Sequence, residues 1–255
     1  MTATAGLLGC GAEAAAVEME TLTVEVVRML PHDAAAFTQG LVYLDTDIGP
    51  AFIESTGLYG QSTIRLVDAA TGAVRRSGLL AEEEFGEGAA LVDGRIVQLT
   101  WRSGRAHVYD LEALAPVNSF RYDGEGWGLC WNGEHLVMSD GSATLQLRRP
   151  SDFAVERQVT VRIGDTPLPR LNELECVGAF VFANVWTTDQ IVKVDPASGA
   201  VVAVIDASGL LKPAERAAAD VLNGIAYSPA SDTFYLTGKL WPKVFEVRLV
   251  PAPTR

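Results

Sequence analysis

Short runs rich in apolar residues, some wholly apolar and some alternating with polar residues at period two, fill this chain, and they come in pairs joined by tight turns. The plainest pair is Ala89-Ala90-Leu91-Val92 and Arg95-Ile96-Val97-Gln98-Leu99-Thr100-Trp101, separated by Asp93-Gly94. Asp-Gly between two such runs is a strong hairpin signal, because the two central residues of the matching turn take positive φ. Four more hairpins follow the same plan. The five open on Thr38-Gln39-Gly40-Leu41, Gly86-Glu87-Gly88-Ala89, Gly126-Trp127-Gly128-Leu129, Leu171-Asn172-Glu173-Leu174 and Leu222-Asn223-Gly224-Ile225. Gln39, Glu87, Trp127, Asn172 and Asn223 are 48, 40, 45 and 51 residues apart, the repeat length of a propeller blade.

Each hairpin is followed by a third run ending in a turn residue, as in Ile64–Asp68, His107–Asp110 and Ile191–Asp195, and then by a fourth, such as Ala200–Ile205 behind Ser198-Gly199. Four strands per repeat predict an all-β, five-bladed β-propeller. The last repeat runs out after its third strand, Val244–Leu249, whereas Leu22–Arg28 precedes the first hairpin as a spare strand. Closing the ring with that N-terminal strand in the last blade removes an exposed edge. Residues 21–255 are read as this propeller, and residues 1–20 as a trimmed signal or linker without fixed structure. Glu87 and Trp101 lie symmetrically about residue 94, so a regular hairpin sets them opposite each other, and Asn172 and Trp186 likewise. All five hairpins then open at the same end, which makes that end the place for a site.

Net charge is −12, from 32 acidic and 20 basic residues, and the basic residues form no run. Nucleic acid and anionic membranes are therefore poor partners. Three cysteines and three histidines show no ligand spacing, which disfavours a zinc hydrolase. Cys130 and Cys176 sit just after two key residues and could form a disulfide; a pair of buried free thiols is the preferred reading. Leu7-Leu8-Gly9-Cys10 resembles a bacterial lipoprotein box lacking most of its signal peptide. It suggests a lipid anchor at Cys10 and a periplasmic or secreted protein. No segment is apolar over the length of a membrane span, and nothing favours a dimer over a monomer.

Seven ordered motifs are similar to those of the plant-type glutaminyl-peptide cyclotransferases of plants and bacteria. They are Phe37-Thr38-Gln39-Gly40-Leu41, Glu54-Ser55-Thr56-Gly57-Leu58-Tyr59-Gly60, Phe85-Gly86-Glu87-Gly88, Glu125-Gly126-Trp127-Gly128-Leu129, Leu171-Asn172-Glu173-Leu174-Glu175, Ala183-Asn184-Val185-Trp186 and Leu222-Asn223-Gly224-Ile225-Ala226. The resemblance covers roughly residues 22 to 250. It implies a five-bladed propeller that converts N-terminal glutamine of peptides or proteins to pyroglutamate, with no metal or other cofactor. It also implies Glu87 as catalytic acid and base, and a pocket lined at the positions of Phe37, Gln39, Trp101, Trp127, Asn172, Trp186 and Lys239.

The chemistry suits these residue types. The free α-amine must attack the γ-carboxamide carbon of the same residue, so the ends are tethered and proton management is the main task. One carboxyl group can take a proton from the amine and pass it to the departing nitrogen, best with a pKa raised by aromatic surroundings. Lys239 and Asn172 are candidate donors to the oxyanion, and Trp127 and Trp186 candidate walls. Trp131 and Trp241 are assigned to packing, and Asn223 to its turn backbone. Glu173 and Glu175 could bind a structural cation on the ring axis or pair with an arginine. Two other functions fit the pattern: a non-catalytic propeller binding peptides or sugars, and a calcium-dependent lactonase-like hydrolase using Glu87, Asn172 and Asn223 as ligands.

Overall fold

The computed structural model describes residues 19–253; the Leu7–Cys10 segment, with its suggested anchor, lies outside them. The fold is all-β. Strand β1 (Glu20–Pro31) comes first and pairs last. An antiparallel sheet in chain order follows, with β2 (Thr38–Leu44), β3 (Ala51–Thr56), β4 (Thr63–Asp68) and β5 (Val74–Leu79). A second has β6 (Gly86–Val92), β7 (Arg95–Thr100), β8 (Arg105–Asp110) and β9 (Pro116–Arg121), and a third β10 (Leu129–Trp131), β11 (Leu136–Ser139), β12 (Thr144–Arg148) and β13 (Val155–Thr160). After a small hairpin, β14 (Arg162–Ile163) and β15 (Thr166–Pro167), come β16 (Leu171–Val177), β17 (Phe180–Val185), β18 (Gln190–Val194) and β19 (Val201–Asp206). One short helix, α1 (Pro213–Arg216), precedes β20 (Leu222–Ser228), β21 (Thr233–Gly238) and β22 (Lys243–Pro251). No helix among the described residues is long and apolar enough to cross a membrane.

The strand read at Leu22–Arg28 is β1, and it runs antiparallel to β22 from Leu22↔Pro251 to Pro31↔Lys243. It is longer than its pattern suggested. Its first residues also pair in parallel with β19, from Glu20↔Ala203 to Thr23↔Asp206, so two four-stranded halves fuse into one eight-stranded sheet. The seam covers the edge that β19 would otherwise expose.

Apolar side chains of the strands meet between neighbouring sheets. Ile53 and Ile64 of the first pack with Ala89 and Ile96 of the second, Val97 and Leu99 with Leu129 and Met138 of the third, and Val137 and Leu145 with Leu174 and Val181 of the β16–β19 half. Phe182 and Ile191 then join Leu236 and Phe245, and Ala226, Tyr235 and Val244 return to Leu41 and Phe52 of the first sheet. The contacts thus close a cycle. At its centre the first strands approach so closely that side chains do not fit: a Cβ on Gly88 would stand 2.6 Å from the Leu129 nitrogen and 2.7 Å from Gly128 Cα. This is the physical reason for the glycine that follows the key residue in four of the five repeats, Glu173 taking that place in the fourth.

Between the third sheet and the next, Cys130 and Cys176 form a disulfide, with Cα atoms 5.5 Å apart. The preference for two free thiols is corrected: β10 and β16 touch side by side, and that separation suits a bridge. A buried ionic cluster ties the first sheet to the β20–β22 end. Glu54 Oε1 accepts from His32 Nε2 at 2.8 Å and Thr38 Oγ1 at 2.7 Å, and its Oε2 accepts from Arg65 Nε at 2.9 Å. His32 Nδ1 donates to Trp241 O at 2.6 Å. With acceptors at both ring nitrogens, His32 is held as the imidazolium.

Candidate active site

The key residues do not sit in regular ladders. Pairing is irregular between Thr38 and Gly40, Gly86 and Ala89, Leu171 and Leu174, and Leu222 and Ile225. Each interval contains a key residue: Gln39, Glu87, Asn172 or Asn223. A bulge frees its residue from the alternation of the strand and re-aims it. The expectation that Glu87 stands opposite Trp101 is therefore corrected. Gly86 pairs with Thr100, the Trp101 N–H donates to Phe85 O at 2.9 Å, and Glu87 belongs to the bulge. Asn172 and Trp186 are offset in the same way, since Leu171 pairs with Val185 and the Trp186 N–H donates to Arg170 O at 2.8 Å.

Trp101, Trp186 and Lys239 are each the first residue after the second strand of a hairpin. Those positions and the bulges meet. Phe37, Gln39, Glu87, Trp101, Trp127, Asn172, Trp186 and Lys239 all line one cavity of about 320 Å³, with Phe85 as a further wall. Every residue proposed from the sequence is therefore present there. Phe85 opens the Phe85-Gly86-Glu87-Gly88 motif, and its apolar character two positions before Glu87 is the sequence signal for this wall. Its ring packs edge-on against Phe37 at 6.1 Å and Trp101 at 5.7 Å, and Trp127 meets Trp186 edge-on at 5.4 Å.

Glu87 is 5% exposed, as is Lys239. Burial drives the Glu87 carboxyl well above the usual carboxylate range; the Lys239 charge pulls it down and that of Glu125 pushes it further up. Burial lowers the Lys239 ammonium, against the attraction of Glu87 and Asp220. Each is thus pressed toward its neutral form. The Lys239 Nζ lies 4.9 Å from the centre of the Phe37 ring. Main-chain anchors hold Glu87, Asn172 and Lys239. Ser55 Oγ donates to Glu87 O and receives Gln98 Nε2 at 2.7 Å, Ser139 Oγ donates to Asn172 O at 2.7 Å, and the Lys239 N–H donates to Val221 O at 3.0 Å.

Three other readings change. Asn223 does not serve its own turn: its Nδ2 donates to Thr38 O at 3.0 Å and Gln39 Oε1 at 3.1 Å, which fixes Gln39. Glu173 accepts the N–H groups of Leu41 at 3.2 Å and Ile225 at 2.8 Å, stitching three inner strands together. Glu175 accepts from the Tyr227 N–H at 3.0 Å. Neither pairs with an arginine among the described residues. Burial and the neighbouring Glu175 push Glu173 well up, and burial pushes Glu175 to about 8. Trp241 is a core residue, 1% exposed, with its Nε1 donating to Asp220 O at 2.9 Å. No group of three or more His, Cys, Asp or Glu among the described residues could hold a metal ion.

The glutamine cyclotransferase family matches residues 1–249. A glutaminyl-peptide cyclotransferase of Arabidopsis thaliana is 40% identical over 237 residues, which covers 91% of this chain and 73% of that protein. The crystal structure of Myxococcus xanthus glutaminyl cyclase superposes with a TM-score of 0.82 at 37% identity, covering 92% of this chain and 100% of that one. With the motifs lying along the full length of the fold and five of the seven supplying side chains to one cavity, the chain belongs to the glutamine cyclotransferase family.

Proposed function

We propose that this protein is a glutaminyl-peptide cyclotransferase built as a five-bladed propeller, acting on N-terminal glutamine without a metal. The observation that carries this reading is the shared cavity, which a buried carboxyl and a buried amine line together with three tryptophans. The five-bladed description is supported by the cycle of inter-sheet cores and by β1 completing the last set of four strands.

In this reading the glutaminyl side chain folds between Trp127, Trp186 and Phe85 until its α-nitrogen reaches the γ-carboxamide carbon. The nitrogen attacks, a C–N bond forms, and the proton it sheds goes to Glu87. Lys239 and Asn172 stabilise the oxyanion. Glu87 then returns the proton to the γ-nitrogen, the old C–N bond breaks, and ammonia leaves with pyroglutamate formed. A carboxyl with a raised pKa suits both transfers, since it is neither too weak a base nor too weak an acid near neutral pH. The hydrophobic walls exclude water, which would otherwise screen the charges.

The test is release of one ammonia from a glutaminyl dipeptide, followed by mass spectrometry with and without prolonged chelation. Turnover should persist after chelation; loss of turnover that zinc or calcium restores would reject the metal-free mechanism. A folded Lys239→Ala protein should turn over roughly 10²- to 10³-fold more slowly, the usual effect of removing an oxyanion donor. Steady-state kcat within threefold of wild type would remove Lys239 from that part. An extracytoplasmic setting goes with this function, supported by the Cys130–Cys176 disulfide, because such bonds persist in oxidising compartments.

A further inference from the structure

Two of the cavity's tryptophans share one acceptor. Glu125 Oε2 receives the indole N–H of Trp101 at 2.7 Å and that of Trp127 at 3.0 Å. Its Oε1 receives Arg102 Nε at 2.9 Å, and the Arg102 guanidinium stacks on the Trp101 ring at 3.8 Å. Trp101 follows β7 in the second sheet, whereas Trp127 precedes β10 in the third. A single carboxylate therefore joins walls that belong to different sheets. The main chain repeats the link, with the Gly126 N–H donating to Trp101 O at 3.0 Å.

Chemistry explains why this residue is a carboxylate. Both indoles are half-buried, and an indole N–H drawn away from water takes an acceptor; one carboxylate oxygen has two lone pairs for two of them while the other faces the guanidinium. An amide in its place has one accepting oxygen, and its NH2 would face either the indoles or Arg102. Burial alone would raise the Glu125 pKa, but the hydrogen bonds from Trp127, Trp101 and Arg102 hold it below the usual range, so it stays charged.

We propose that Glu125 is a positioning residue of the reaction: it locks Trp101 and Trp127 into one rigid jaw that folds the glutaminyl side chain toward Glu87. The role rests on the cyclotransferase reading above. Ring closure depends on holding the reacting atoms in a near-attack geometry, and small displacements of that geometry have large effects. A second consequence is electrostatic. The charges that bear on Glu87 are Lys239, which favours its ionised form, and Glu125, which opposes it; the nearby Tyr122 hydroxyl is engaged with the Thr100 main chain. Neutralising Glu125 leaves Lys239 unopposed.

The experiment compares wild type with Glu125→Ala and Glu125→Gln by steady-state ammonia release from a glutaminyl peptide across pH, and by tryptophan emission and quenching. Glu125→Ala should lose roughly 10- to 100-fold in kcat, on the order expected for misplaced reacting groups, with freer quenching of tryptophan. In Glu125→Gln the limb of the pH profile that reports Glu87 should move to lower pH, a change that loss of packing alone would not produce. If Glu125→Ala does not fold, the Glu125→Gln profile decides. Variants with kcat, pH profile and emission like those of wild type overturn the role. An inactive wild type would instead bring down the cyclotransferase reading and this role together.

Discussion

Replacing Glu87 by glutamine is expected to leave the protein folded and to lower turnover by roughly 10²- to 10⁴-fold, the share of general acid–base catalysis. Glutamine keeps the shape and most of the hydrogen bonding of the side chain while removing its proton. The buried position gives a second expected result. A carboxyl whose folded pKa is raised above its unfolded value opposes folding once pH exceeds the unfolded value, because the unfolded chain ionises it more readily. Glu87→Gln should therefore melt no lower than wild type at neutral pH. Ammonia release and a thermal melt on the same sample check both. A rate within about threefold of wild type is far below the catalytic share and would dismiss Glu87 as the proton carrier.

Glu54→Gln should be the most destabilising of the substitutions considered, by about 3–5 kcal/mol, the usual effect of removing one member of a buried ion pair. That is a large part of the stability of an ordinary domain. Glu54 is 1% exposed and bridges His32 and Arg65. Burial would raise its pKa, but the charges of His32 and Arg65 and their hydrogen bonds hold it at about 2. Burial would lower His32, yet Glu54 and the Trp241 carbonyl raise it.

The pH window follows from these two directions. The Glu54 contribution is present above its usual 4.5 and lost as pH falls toward about 2. That of His32 is full below its usual 6.5 and lost as pH rises through its elevated folded value. Wild-type stability from this cluster should thus decline on the alkaline side. In Glu54→Gln the sign inverts: His32 and Arg65 face each other, with Asp33 beside Arg65 the one acidic partner left among the described residues, so deprotonating His32 relieves repulsion and stability rises with pH. Urea unfolding between pH 5 and 8 distinguishes the two slopes. Parallel slopes in both proteins would show that His32 does not titrate against Glu54. The cluster also braces the catalytic end, since the His32 N–H donates to Pro242 O at 3.1 Å and the Leu240 N–H to Ala36 O at 2.7 Å, on either side of the turn that follows Lys239.

Local pattern determined a good deal of this protein. Short apolar runs, alternating where one face meets water, and the Asp93-Gly94 and Ser198-Gly199 turns specified the strands and their order, because run length and turn φ are properties of a few neighbouring residues. The spare strand at the start and the missing one at the end named each other, since an open edge is unstable wherever it falls. The resemblance to the cyclotransferases then pointed to the cavity lining, from Phe37 to Lys239, with Phe85 the exception.

Only the tertiary structure decided where those residues point. Bulges at Gln39, Glu87, Asn172 and Asn223 shift the register that counting predicted, and a bulge is a response to packing around a crowded centre, where Gly88 leaves no space for a Cβ. The disulfide, the Asn223 bond to Gln39, the Glu173 bonds to Leu41 and Ile225, and the Glu125 clamp all join residues from different sheets or from the two halves of the eight-stranded one. Such partners are set by how sheets stack, which alternation along one strand does not encode. The same holds for the perturbed acidity of Glu87: its sequence neighbours are glycines, and the burial and the Lys239 and Glu125 charges that shift it are supplied by chain far away.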